Sequence, residues 1–218
     1  MKTDFTRQLD ILSPSELVYP VTIVGAGGIG SPVALCLAKM GFSRISVYDP
    51  DFVEDINVPN QIYRPADIGS PKVDALGSLI AELTGTSITV HQEKFEGQRL
   101  LEGIVVSAVD RMEMRMIVWK AVRYNTGVQF FVDGRTGGEV LQVFSAVPYQ
   151  IEDVELYESM LFPDEEAAEL PCTARSIFYV GFIIAGLICL NVKLWVRQQQ
   201  YGRQITYHLV PGVFVSQE

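Results

Sequence analysis

The residues best suited to chemistry begin with a run of glycines. Gly25-Ala26-Gly27-Gly28-Ile29-Gly30 follows the apolar run Val21-Thr22-Ile23-Val24. In such a turn Gly25 permits a sharp exit from a strand, while Gly27 and Gly28 let backbone amides approach phosphate oxygens with no side chain in the way. Gly30 lets a helix pack close to the strand. Apolar residues recur at helical spacing over residues 31–40. The start of that helix offers unpaired N–H groups and the positive end of a dipole, both suited to an anion. Asp49 ends the next apolar run, Ile45-Ser46-Val47-Tyr48, where an acid in this kind of fold meets a ribose hydroxyl. These residues ask for a nucleotide and leave NAD, FAD and ATP open.

The elements that must position them read as alternating strands and helices. Strand patterns fall at residues 21–24, 45–48, 87–91, 104–108 and 128–132, and helical patterns at 31–40, 71–83 and 112–124. That alternation predicts βαβ units and an α/β, Rossmann-like fold with helices on both faces of the sheet. Asp110 lies just past the strand pattern at 104–108, so strand ends again carry acids. After Gly137-Gly138 comes a longer strand pattern at 139–147. The connection before it is too short for a crossover helix, so the pairing is antiparallel. The expected sheet is mixed, parallel in its N-terminal half and antiparallel toward the C-terminus.

Bulk properties bound the rest. A chain of 218 residues, 48% of them hydrophobic, buries one continuous core and leaves little room for a second full domain, so residues 1–218 are expected to form one domain. A formal net charge of −9 repels phosphate backbones and argues against general nucleic-acid binding. Cys36, Cys172 and Cys189 are too few and too scattered for a disulfide framework or a zinc site, and residues 1–16 have no targeting layout, which together suggest a cytoplasmic protein. The apolar run at 177–190 is shorter than the roughly 20 residues of a membrane span and reads as a buried or dimer-interface helix, with no membrane partner. Periodicity fades over 148–170, where acids gather with no Lys or Arg among them. We read that stretch, to about residue 171, as a solvated excursion, with a docking surface for a basic partner as the alternative.

Gly25 to Ser31, then Asp49-Pro50-Asp51-Phe52-Val53, Asn57-Val58-Pro59-Asn60-Gln61, Gly69, Lys72 and Asp110 together resemble the ThiF/MoeB/ubiquitin-activating-enzyme family in order and spacing. The resemblance runs from about Thr6 to near Val196. It implies an enzyme that uses ATP and magnesium to adenylate the C-terminal glycine carboxylate of a ubiquitin-like or sulfur-carrier protein ending in Gly-Gly, working as a homodimer.

Carried over by matching position, Asp49 holds the ribose, Lys72 contacts the phosphates and Asp110 binds magnesium, with Asp51, Asn57, Asn60 and Gln61 around the ATP site. The chemistry wants these types. Attack of a carboxylate on an α-phosphate brings anions together, so a cation and a metal must spread the growing charge. Read without the resemblance, Lys72 is an ordinary surface lysine and Asp110 a helix N-cap. Many members carry arginine where this chain has Asn60, and Arg64 is the proposed substitute for that charge. Arg7, in Phe5-Thr6-Arg7-Gln8, resembles an arginine that reaches the ATP site of the other subunit.

Cys172 lies close to where several members keep a thioester-forming cysteine, and Arg175 together with the following helix start would favour its thiolate. Some relatives only adenylate, so both outcomes stay open for Cys172. The stretch Asp133-Gly134-Arg135-Thr136-Gly137-Gly138-Glu139 is a glycine-rich turn that could bear an extended peptide tail or simply join two strands. Two other functions remain: an NAD-dependent oxidoreductase, weakened by the absence of a recognisable His-based acid/base motif, and a nucleotide-binding scaffold without chemistry.

Overall fold

The computed structural model of the chain describes residues 3–97, 100–163 and 177–217. An eight-stranded sheet runs in the order β3-β2-β1-β4-β5-β6-β7-β8. Its strands are β1 (Val21–Val24), β2 (Ile45–Tyr48), β3 (Thr89–His91), β4 (Gly103–Ser107), β5 (Val128–Gly137), β6 (Val140–Ala146), β7 (Gln204–His208) and β8 (Val213–Gln217). The pairings of β3, β2, β1, β4 and β5 are parallel, and those from β5 through β8 are antiparallel. The predicted mixed sheet is therefore observed. Its strand order reverses at β1, which pairs with β2 on one side (Val24 beside Tyr48) and with β4 on the other (Val24 beside Ser107).

Among the described residues five α-helices cover the sheet: α1 (Gly30–Met40), α2 (Lys72–Thr84), α3 (Met112–Val122), α4 (Ile151–Glu158) and α5 (Phe178–Val196). Side chains alternate along the strands, so each strand feeds two cores. On one face Ile23, Ile104, Val106, Phe130 and Val132 pack with α1, α2 and α5 through Leu37, Leu76 and Ile184. On the other, Val24, Val105 and Phe131 pack with α3 and α4 through Val118, Trp119, Val154 and Tyr157. Each fully buried Leu or Ile contributes about 1.5–3 kcal/mol relative to exposure.

Three elements differ from the sequence reading. β5 continues through Asp133 to Gly137, leaving only Gly138 and Glu139 as the hairpin turn, because Asp133 to Gly137 each find a partner on β6. The acidic stretch, in its described part, is not simply solvated. That part forms α4, whose Val154 and Tyr157 are buried and whose Asp153 accepts a 2.7 Å bond from the Val147 N–H while lying 3.0 Å from Arg203 Nε. Arg203 comes from a distant part of the chain, which is why local charge counting missed the pairing. The apolar run extends into the 19-residue α5, long and apolar enough by composition to cross a membrane, yet here one stripe of it lies in the core through Val180, Ile184, Ile188 and Val192.

Candidate active site

A cavity of about 590 Å³ opens beside the reversal of strand order, where the ends of β1 and β4 diverge. Open α/β sheets bind ligands at such crevices beyond the carboxyl ends of their strands. The cavity is lined by Gly25, Gly27 and Gly28 after β1, by Asp49 and Asp51 after β2, and by Asp110 after β4. Asn60, Gln61 and Lys72 close another part of the wall.

The glycine turn is built by contact. Gly25 has φ +99°, and a Cβ there would stand 2.5 Å from the Ala108 carbonyl oxygen. A Cβ on Gly30 would stand 1.8 Å from the Gly25 oxygen, so α1 meets its strand only through a glycine. Gly30 thus shapes the turn from outside the cavity lining. Gly27 is the opposite case, with nothing within 4 Å of a built Cβ although it lines the cavity. Open space over a backbone at the head of a helix without a side-chain cap is the steric and electrostatic requirement of a phosphate.

Asp49 has a second duty. Its carboxylate accepts the Ala26 N–H at 2.7 Å and the Asp51 N–H at 2.8 Å, tying the glycine turn to the end of β2. Burial pushes its pKa above the usual range, opposed by those two N–H bonds and by Lys72. Tyr63, which sequence reasoning missed, donates to the Ala26 carbonyl at 2.6 Å from the other side of the turn. Burial, reinforced by Asp49, Asp67 and Asp51, raises its pKa far above that of a free phenol, so its hydroxyl stays a donor.

Lys72 is not the surface lysine that composition suggests. It is 8% exposed at the first turn of α2, and its Nζ lies 2.9 Å from Asp51 Oδ2. Gln61 brings a buried Oε1 that accepts no hydrogen bond among the described residues, an acceptor open to a donor of the ligand. Together the vacancy over Gly27, the orphaned Gln61 oxygen, the lysine and the acids of the cavity fit a nucleotide, and Asp110 is the hard oxygen donor there that a magnesium ion would take.

Other predicted residues lie elsewhere. Asn57 stays outside the lining, its Oδ1 accepting the Glu54 N–H at 2.9 Å in a short 3-10 turn. Arg64 is also outside, held by Asp67 at 3.0 Å and Glu82 at 2.8 Å, so the structure does not bring it to the cavity as a substitute charge. Arg7 is exposed on the 3-10 turn Thr6–Gln8 and lines no part of this chain's own cavity. Cys172 lies outside the described residues.

The cavity also holds residues that sequence reasoning did not name. Lys94, Arg111 and Arg115 add positive charge, and Gly181 of α5 adds a floor together with Thr136 of β5, which the sequence offered as part of a stretch that could bear a peptide tail. A Cβ on Gly181 would stand 2.2 Å from the Gly28 oxygen, so α5 rests directly on the glycine turn. Arg115 had a legible signal: it sits among Met112, Val118, Trp119 and Val122 on the buried stripe of α3, a charge at a core position. Its Nε lies 3.2 Å from Asp133, and its Nη2 donates to the Val109 carbonyl at 2.5 Å.

Comparison with known proteins places this arrangement. A model of the ThiF family matches residues 18–210. The chain belongs to the ThiF family. It is 31% identical to ubiquitin-like modifier-activating enzyme 5 of Oryza sativa subsp. japonica, over 92% of this chain and 53% of that protein. It is 34% identical to adenylyltransferase and sulfurtransferase MOCS3 of Aedes aegypti over 45% of this chain and 24% of that one. This ThiF-family chain spans about half the length of the modifier-activating relative. In fold it is similar to E. coli MccB solved with AMPCPP and MccA, at TM-score 0.73 and 19% identity, over 94% of this chain and 65% of that one.

Proposed function

We propose that this ThiF-family chain is an adenylating enzyme that uses ATP and magnesium to activate the C-terminal carboxylate of a ubiquitin-like or sulfur-carrier protein. The observation that carries the proposal is the convergence of Gly27, Asp49, Lys72 and Asp110 on one cavity at the reversal of strand order. Support comes from relatives named as a modifier-activating enzyme and an adenylyltransferase, and from the fold's likeness to MccB, solved also with ATP.

In this reading the backbone at Gly27 and Gly28 holds phosphate oxygens and Asp49 takes the ribose while keeping the turn in place. Lys72, freed in part from Asp51, stabilises charge that builds on the phosphate as the carboxylate attacks. Asp110 holds the magnesium, which when bound neutralises phosphate charge. The incoming carboxyl tail crosses Thr136 and Gly181, where a small residue on α5 leaves the backbone close to the turn. Arg7, exposed and away from its own cavity, serves the site of a second copy in a homodimer. Cys172 is the candidate for a subsequent thioester.

ATP–pyrophosphate exchange tests the proposal, run with carrier proteins ending in Gly-Gly and repeated for Asp110→Ala and Lys72→Ala. Carrier-dependent exchange that both variants abolish is the expected result. Binding of NAD without ATP would overturn it in favour of an oxidoreductase, and ATP binding without exchange for a genuine carrier would leave a scaffold. A thiol-sensitive adduct that persists in Cys172→Ser would remove the thioester role.

A further inference from the structure

The cavity wall carries four cationic side chains, Lys72, Lys94, Arg111 and Arg115, and they divide into two kinds. Lys72 is engaged by Asp51 at 2.9 Å. Arg115, buried, is engaged by Asp133 at 3.2 Å and spends its Nη2 on the Val109 carbonyl at 2.5 Å. Lys94 and Arg111 differ: both are exposed, and among the described residues neither has a carboxylate within ion-pair distance. They arise from separate segments, Lys94 beyond β3 and Arg111 at the N-cap of α3, yet line one cavity. The same wall carries Asp49, Asp51, Asp110 and Glu113, so its formal charges cancel without a ligand. In a chain of net charge −9, a polyanion needs cations that no protein carboxylate already holds. Asn60 supplies none, and Arg64 is taken by Asp67 and Glu82.

We propose that Lys94 and Arg111 are the nucleotide's phosphate-charge residues, the pair that distinguishes a polyphosphate from an uncharged nucleoside in this cavity. The proposal rests on the nucleotide reading above and deepens it. Arg111 presents a planar fork of N–H donors suited to two phosphate oxygens, and it projects from the N-cap of a helix whose dipole adds to its field. Lys94 provides a mobile point charge from the adjoining wall. Neither belongs to the packed interior, so removing either leaves the fold intact.

The test measures dissociation constants of ATP and adenosine, with magnesium at fixed ionic strength, for the wild-type chain, Lys94→Gln, Arg111→Gln and the double variant. Each single change is expected to weaken ATP about tenfold, and the double on the order of a hundredfold, with adenosine unchanged. The slope of ATP affinity against salt should become shallower in the double variant. Arg64→Gln should bind ATP as wild type does, and Arg111→Lys should recover part of the loss. Equal weakening of ATP and adenosine would overturn the proposal by placing the two residues on the base or ribose, and so would unchanged ATP affinity in the double variant. A wild-type chain that binds neither ATP nor adenosine removes the nucleotide reading itself, and this proposal with it, before any variant is compared.

Discussion

Two sets of acidic residues at the ends of parallel strands meet different fates. Asp49 and Asp110 follow β2 and β4 where the backbone leaves the sheet, and both face the cavity. Asp133 lies at a comparable place on β5, level with Ser107 of β4, but there the strand continues into an antiparallel hairpin. Its carboxylate is fully buried, with one oxygen 3.2 Å from Arg115 Nε and the other taking Arg135 Nε at 2.7 Å and the Tyr157 hydroxyl at 3.1 Å. The same residue type lines a cavity where the strand ends and is closed off inside the core where it does not. What the chain does next decides the role, and that depends on pairing partners as much as on the residue.

The sharpest way to break this comparison is to remove the internal acid. Asp133→Ala leaves two guanidinium groups buried without their shared counter-ion, a change that should cost about 3–5 kcal/mol of folding stability. Chemical denaturation checks it. A variant that unfolds at the wild-type midpoint would mean that Asp133 is no more structural than Asp110, whose replacement should leave the midpoint nearly unchanged while abolishing exchange.

Next in size is Lys72→Met, which keeps an apolar stem in the buried wall and removes the charge. Exchange should fall about a hundredfold, roughly 2.7 kcal/mol of transition-state stabilisation, with the melting temperature little changed. A large loss of stability with no kinetic defect would place Lys72 with Asp133 on the structural side.

Gly27→Ala and Gly30→Ala divide the glycine turn in the same way. The methyl on Gly27 enters open space, so the protein should fold normally and bind ATP about tenfold more weakly, since it would occupy the place proposed for a phosphate. The methyl on Gly30 meets the Gly25 oxygen and should lower stability before binding is in question. Thermal melts and nucleotide titrations of the pair separate the two effects. Equal stability losses would show that the space over Gly27 is needed by the fold itself.

Much of this was legible from periodicity and spacing. The apolar runs ending at Val24 and Tyr48 and the glycine turn gave strand, turn and helix because each signal is local. Lys72 was named by its place in a motif, although its burial and its pairing with Asp51, 21 residues earlier, arise only in the folded chain. Arg64 shows the limit. Its side-chain type and its distance along the chain suited the cavity, but Asp67 three residues on, and Glu82 from α2, bind it first. Lys94 went unnoticed for the converse reason, since only the parallel pairing of β3 with β2 brings the segment after His91 to the ends of β1 and β4. Asp133 and α4 belong together in the same lesson: Tyr157 and Asp133 are far apart in sequence and meet only when the hairpin is formed.

The smallest expected effect concerns Asp49, an acid that serves both the cavity and the fold. Its folded pKa is raised by burial above the 3.8 of a free aspartate. An acid with a raised folded pKa binds its proton more tightly in the native state, so folding takes up protons in the window just above 3.8. The unfavourable contribution of its buried charge is fully present above the folded pKa and is relieved as pH falls through it. The stability of the wild type minus that of Asp49→Asn should therefore rise on acidification from pH ~7 toward ~4. Denaturation at several pH values measures this difference while cancelling the titration of other groups. A difference that falls on acidification would mean that the bonds from Ala26 and Asp51 outweigh desolvation, and that Asp49 resembles an ordinary paired acid.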